Sequence, residues 1–200
     1  MHTRILIAGE KNLPQDIISS YLQNQGEYTL TVVENDQNLS RTILAHDPEI
    51  LIVDMLDPDT ARLSSILWLR RTFPGLLIIA LFMYPDKYIL SELFKTGVLG
   101  YMLYKDISEL KSAIKTVYNH NLFLSRSILN IIVEEYEHQN DESHNGYTIE
   151  PESLEYLNHY LLLDDNTKLH NGTLNGHHYS DELDKIVHKW LLYSMVNPSD

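Results

Sequence analysis

The stretch Glu49–Pro58, EILIVDMLDP, runs from an unbroken apolar segment straight into an aspartate, Asp54, with a proline four residues further on. An apolar run without alternation reads as a strand covered on both faces, as in a parallel sheet. Parallel sheets present their chemistry at the carboxyl ends of their strands. Asp54 is therefore either a site residue or the cap of a loop.

Working outward, strand-like and helix-like segments alternate on both sides of it. RILIA (Arg4–Ala8) precedes a helical pattern over Leu13–Gln23, and YTLTVV (Tyr28–Val33) precedes the short helical segment LSRTILAHD. After ILIVD (Ile50–Asp54), the residues Leu63, Ile66, Leu67 and Leu69 recur at helical spacing until Pro74. LLIIALF (Leu76–Phe82) is a second unbroken apolar run. PDKYILSELFKTG follows it, with proline at its start and Gly97 at its end, where helices take those residues. GYMLY (Gly100–Tyr104) and ISELKSAIKTVY complete a fifth pair. The pattern predicts an α/β fold: a doubly wound, five-stranded parallel sheet in the order 2-1-3-4-5, with helices on both faces. A further helix is expected from about Ser125 to Glu137.

The polar run HQNDESHNG (138–146) has no apolar periodicity and reads as a linker. It separates an expected domain at 1–137 from a small all-α lobe at 147–200. Composition narrows function further. There is no cysteine, hence no disulfide, thiolate or zinc–cysteine chemistry. No apolar run reaches bilayer length and the N-terminus lacks a signal-peptide layout, so a cytoplasmic protein is expected. A net charge of −13 argues against a general polyanion binder. Residues 1–137 carry −5 of that charge and residues 138–200 carry −8. No Ser-His-Asp spacing, glycine-rich phosphate loop or dinucleotide fingerprint occurs, and no enzyme activity is expected.

An aspartate ending strand three, GYMLYKD at strand five and NHNLFLSRSILNIIVEEY beyond it resemble a response-regulator receiver domain of the NarL/FixJ type. In that family a LuxR-like helix-turn-helix follows the receiver. The resemblance implies that Asp54 is a phospho-acceptor, with Pro58 at the family's offset. It also implies Mg²⁺ held by acids after strand one, and a lysine pairing the phosphoryl oxygens. Such a transfer needs a nucleophile and positive charge to neutralise the phosphoryl oxygens.

This chain departs from that pattern at several places. Gly9 and Glu10 take the positions of the two metal-holding acids, so Glu10 and Asp54 are the remaining metal candidates. Phe82 replaces the family's Thr or Ser. Lys105 matches the family lysine only if Tyr104 is an extra residue; aligned without a gap, Tyr104 takes its place. Tyr101 or Met102 falls at the switch aromatic. Loss of the hydroxyl uncouples phosphorylation from that aromatic, since a switch needs contacts that differ between its two states.

The tail resembles the helix-turn-helix faintly. Leu154, Leu157 and Leu161 share a helical face, and Asn166 and Leu169 fit second-helix places. Its last helix opens with Asp181, Glu182 and Asp184, where a groove reader would meet phosphates. Lys168, Lys185 and Lys189 are the tail's only basic residues. It reads as a degenerate helix-turn-helix for which DNA binding is not expected. His170, His177, His178 and His188 match no zinc spacing and read as exposed histidines. Arg70 and Arg71 read as a solvated helix edge. Tyr84, Tyr88, Tyr101 and Tyr104 gather near helix 4, strand 5 and helix 5, a candidate surface for a protein partner or a homodimer. Three functions are thereby open: an atypical response regulator acting by protein contact, a phosphorylation-controlled DNA-binding regulator, and an adaptor or subunit of a larger assembly without signalling input.

Overall fold

In the computed structural model, all six residues of β3 (Ile50–Met55) and of β4 (Leu77–Phe82) are buried, as two-face coverage requires. The structure describes residues 3–9, 13–23, 27–34, 38–55, 60–85, 87–132, 173–174 and 177–178. β3 and β4 lie side by side at the centre of the sheet. β1 (Thr3–Ala8) flanks β3 and β2 (Tyr28–Val33) forms one edge, while β5 (Gly100–Leu103) flanks β4. These five strands are parallel, in the expected order.

Between them run α1 (Leu13–Gln23), α2 (Leu39–His46), α3 (Thr60–Thr72), α4 (Lys87–Lys95) and α5 (Leu110–Tyr118). Strand alternation divides the core between the two faces. Ile5, Ile7, Ile50, Ile52, Ile79, Leu81 and Met102 pack with Ile18 and Leu22 of α1 and with Leu110, Ala113, Ile114 and Val117 of α5. α4 ends at Lys95, and Gly97 two residues on has a φ of 76°, the left-handed conformation that a helix stop favours.

Three features differ from expectation. The sheet gains a sixth strand, β6 (Phe123–Leu124), beyond β5, and the Phe123 N–H donates to the Leu99 carbonyl at 2.7 Å. Two residues are too few to carry a periodic pattern. The fifth helix begins later than its apolar spacing suggests, because Tyr104–Glu109 form a 3-10 turn in which Asp106 leaves helical geometry (φ −96°, ψ 21°). Finally, the compact units divide at Met1–Phe123 and Leu124–Asp200, so the added helix groups with the second unit.

Within that second unit, residues 126–132 are helical and bury Ile128, Leu129 and Ile132. The C-terminal lobe is not purely helical as expected. Thr173–Leu174 and His177–His178 pair antiparallel, with Leu174 opposite His177. The intervening Asn175–Gly176 is the residue pair that a tight hairpin turn favours, a stronger local signal than the helical reading of the lobe. The rest of the tail, including Leu154, Leu157, Leu161 and the acidic last helix, lies outside the described residues. Among the described residues no helix is long and apolar enough to cross a membrane.

Candidate functional site

Asp54 is 5% exposed at the end of β3, in register with Leu81 of β4. A carboxylate so placed has little water, and its neighbours set its chemistry. The first is Gly9, buried directly after β1, whose N–H donates to the Val33 carbonyl at 3.2 Å. A Cβ at residue 9 would stand 2.7 Å from the Asp54 Cβ and 3.1 Å from Oδ2. The Asp54 side chain therefore leaves no room for a side chain at residue 9, where the resemblance expects an acid. Glu10, the other metal candidate, lies outside the described residues, as does Pro58.

The second neighbour is Tyr104. β5 pairs with β4 without a gap, Phe82 opposite Leu103, so the residue following the strand is Tyr104. Burial pushes its phenol well above the ordinary range. The Asp54 carboxylate beside it pushes the same way, and the Arg62 guanidinium opposes. The approach to Asp54 falls short of a well-formed hydrogen bond, and Tyr104 Oη is a buried polar atom without a full partner. Of the two candidates for the lysine position, the structure brings Tyr104 to Asp54. Lys105 is exposed on the 3-10 turn.

The third neighbour went unread in the sequence. Arg62, in the first turn of α3, reaches back so that Nη1 donates to the main-chain carbonyl of Asp54. One signal was available: a helix N-terminus disfavours positive charge, so a first-turn arginine calls for a partner.

Phe82, at the end of β4, has no exposed surface and stands opposite Met55 and Leu103. An apolar ring thus fills the position that bears a hydroxyl in the family. Tyr101 is fully buried and stacks on Phe94 of α4, ring centroids 4.0 Å apart and planes 29° apart. Its hydroxyl donates to the Val98 carbonyl at 3.0 Å, and burial holds its pKa far above the ordinary phenol value. Arg70 is no solvated edge. Its guanidinium donates to the carbonyls of Leu76 at 2.8 Å, and of Pro74 and Thr96 at 3.3 Å, tying α3 to the loop before β5. Arg71 beside it is exposed, as expected.

Mg²⁺ takes six oxygen ligands, several of them usually water, with one or two protein carboxylates. The described part of this site has one carboxylate, an excluded side chain at Gly9 and a guanidinium on the Asp54 carbonyl. Among the described residues no three His, Asp or Glu side chains converge.

No family model matches the chain. Among curated proteins it is similar to the oxygen regulatory protein NreC of Staphylococcus carnosus, with 29% identity over 96 residues, covering 47% of this chain and 44% of NreC. It is also similar to the transcriptional regulatory protein DegU of Brevibacillus brevis, 20% identical over 135 residues, covering 66% and 57%. The chain spans about half the length of these curated relatives. Among solved structures, a LuxR-family two-component response regulator from Aurantimonas sp. SI85-9A1 superposes with a TM-score of 0.61 at 18% identity. That match covers 68% of this chain and 98% of the other. The parallel order β2-β1-β3-β4-β5 and the likeness to the solved response regulator show that residues 3–118 have the receiver fold, and the curated proteins to which the chain is similar are regulatory proteins.

Proposed function

We propose that this receiver is atypical and works by protein–protein contact, largely without phosphorylation and without catalysis of its own. The observation that carries this reading is the composition of the Asp54 pocket. Backbone at Gly9, an aromatic ring at Phe82 and a phenol at Tyr104 stand where an acid, a hydroxyl and an ammonium would act on a phosphoryl group. A ligand moves a two-state protein only through contacts that differ between the states. The buried Tyr101, bonded to Val98 and stacked on Phe94, supports one resting arrangement instead. The docking surface would be the face of α4, β5 and α5. Near it Tyr84 is 81% and Tyr88 59% exposed, as aromatic anchors for a protein partner or a second copy would be.

A phosphorylation-controlled DNA-binding regulator is the second reading, favoured by the likeness to DegU, a transcriptional regulatory protein. The −8 charge of residues 138–200 weighs against it.

Incubating the full chain with acetyl phosphate and magnesium and reading intact mass tests the first reading. No phosphoryl adduct is expected, and partners captured from the native cell should be the same for wild type and Asp54→Asn. Rapid stoichiometric labelling, abolished by Asp54→Asn, would overturn it.

A further inference from the structure

At the end of the sheet opposite Asp54, a cleft of about 570 Å³ opens at the amino ends of β1, β3 and β4. The residues lining it all belong to the unit Met1–Phe123. The strand from Glu49 to Asp54 puts roughly 16 Å between the two ends. We propose that this cleft binds an organic cation, a guanidinium or alkylammonium group on an apolar body, with Glu49 as its counter-charge.

Glu49 is held by its backbone. Its N–H donates to the Arg4 carbonyl at 2.9 Å and its carbonyl accepts from the Leu77 N–H at 3.1 Å, clamping it between β1 and β4. Its side chain is less fully engaged. Oε2 accepts the Arg4 main-chain N–H at 3.0 Å, while Arg4 Nη1 stands 3.9 Å away, beyond hydrogen-bond reach. Oε1 meets the Tyr118 hydroxyl at a long 3.5 Å. A carboxylate offers roughly four acceptor sites, so capacity remains where Glu49 lines the cleft. Arg4 does not fill it. Its Nε donates to the Asp47 carbonyl at 2.6 Å and its Nη2 to Asp47 Oδ2 at 3.2 Å, which draws the guanidinium toward an exposed partner. Asp47 and Glu49 against Arg4 leave one negative charge, with His120 neutral.

The walls select the kind of cation. Phe73 and Tyr118 line the cleft beside aliphatic and prolyl side chains, and aromatic faces attract organic cations. A hard metal ion needs several oxygen ligands, and among the described residues no three acidic or imidazole groups converge. The volume lies in the range of small-ligand sites. Asp47 (φ 44°) and His120 (φ 60°) also keep side chains on the cleft wall in the left-handed conformation, where glycine is easier.

The test uses the full isotope-labelled chain, read by NMR, and three probes: n-butylguanidinium, neutral n-butylurea and Nα-acetyl-L-argininamide. Amide signals of Glu49, Gly75 and His120 should shift saturably with n-butylguanidinium, with a Kd near or below about 1 mM, and the binding should weaken as salt is raised. n-Butylurea should not bind over the same range. Glu49→Gln, whose amide oxygen can still accept the Arg4 N–H, should weaken n-butylguanidinium about fivefold or more, the effect of losing one partly exposed ion pair. Tighter binding of Nα-acetyl-L-argininamide would assign the cation to a protein side chain, and weaker binding to a free small molecule.

No saturable shift at these residues, equal binding of n-butylurea, or an unchanged affinity in Glu49→Gln would each overturn the proposal. Should Glu49→Gln not fold, Asp47→Asn decides, since its side chain is 94% exposed and its loss disturbs no core. It should weaken n-butylguanidinium about twofold, and an affinity equal to wild type would count against the cleft.

Discussion

A methyl group on Gly9 would stand 2.7 Å from the Cβ of Asp54, closer than real side-chain carbons approach. The two residues are therefore coupled sterically, across β1 and β3, before any charge is considered. Gly9→Ala should destabilise the domain by roughly 1–3 kcal/mol, the usual range for overpacking a filled core. Combined with Asp54→Gly, which deletes the opposing Cβ, the two changes should be non-additive by about 1 kcal/mol or more in denaturant melts. Additive losses would show that the approach of the two strands relaxes freely.

Tyr101 and Tyr104 both have phenol groups raised above the ordinary value of 10.0, chiefly by burial. In the unfolded chain they ionise near that value, while in the folded protein they stay protonated. The unfolded state then binds fewer protons, so stability should fall as pH rises above about 10, by up to ~1.4 kcal/mol per pH unit for each group. Below that pH both states are protonated and the effect is absent. Tyr104→Phe should flatten the alkaline fall, and the tyrosinate absorbance lost between wild type and Tyr104→Phe should be absorbance that appears together with unfolding.

Removing the Tyr104 hydroxyl should cost little at neutral pH. It is a buried polar atom without a full partner, so Tyr104→Phe should be neutral or stabilising by up to about 1 kcal/mol. Tyr101→Phe should behave oppositely. It strands the Val98 carbonyl, and a loss of about 1–2 kcal/mol is expected. Chemical denaturation of the two single variants distinguishes them.

Arg70 holds three main-chain carbonyls around the α3 end and the loop before β5. Arg70→Ala should lower stability by about 1–3 kcal/mol, and Arg70→Lys should recover only part, since an ammonium cannot fork. Hydrogen exchange should quicken first at residues 96–99. Exchange that quickens evenly across the domain would mean that Arg70 stabilises it without tying that loop.

Residues 138–200 carry a net charge of −8 with three lysines. Specific DNA binding uses several phosphate contacts and weakens steeply with salt. Gel shifts of the full chain against genomic fragments at physiological salt should show none. A sequence-specific shift, lost in Lys185→Ala/Lys189→Ala, would restore the transcription-factor reading.

Much of the fold was legible because two-face burial leaves a mark that needs no partner to interpret. Runs such as ILIV and LIIALF cannot be half-exposed strands, and they place β3 and β4 at the centre of a parallel sheet. What escaped was short or lacked a period. β6 is two residues long, and so is each strand of the antiparallel pair Thr173–Leu174 and His177–His178.

The same division runs through the site. Sequence alone placed Asp54 at a strand end, and the resemblance to the receiver family marked Gly9 and Phe82 as altered positions. Tertiary structure decided between Tyr104 and Lys105. The ungapped β4–β5 register ends at Leu103, and the residue after it turns toward Asp54 while the next faces solvent. It alone revealed Arg62 on the Asp54 carbonyl and Arg70 on the loop before β5. An arginine's reach depends on how its helix is seated on the sheet. That is set by the summed packing of the core, and no local pattern of residues records it.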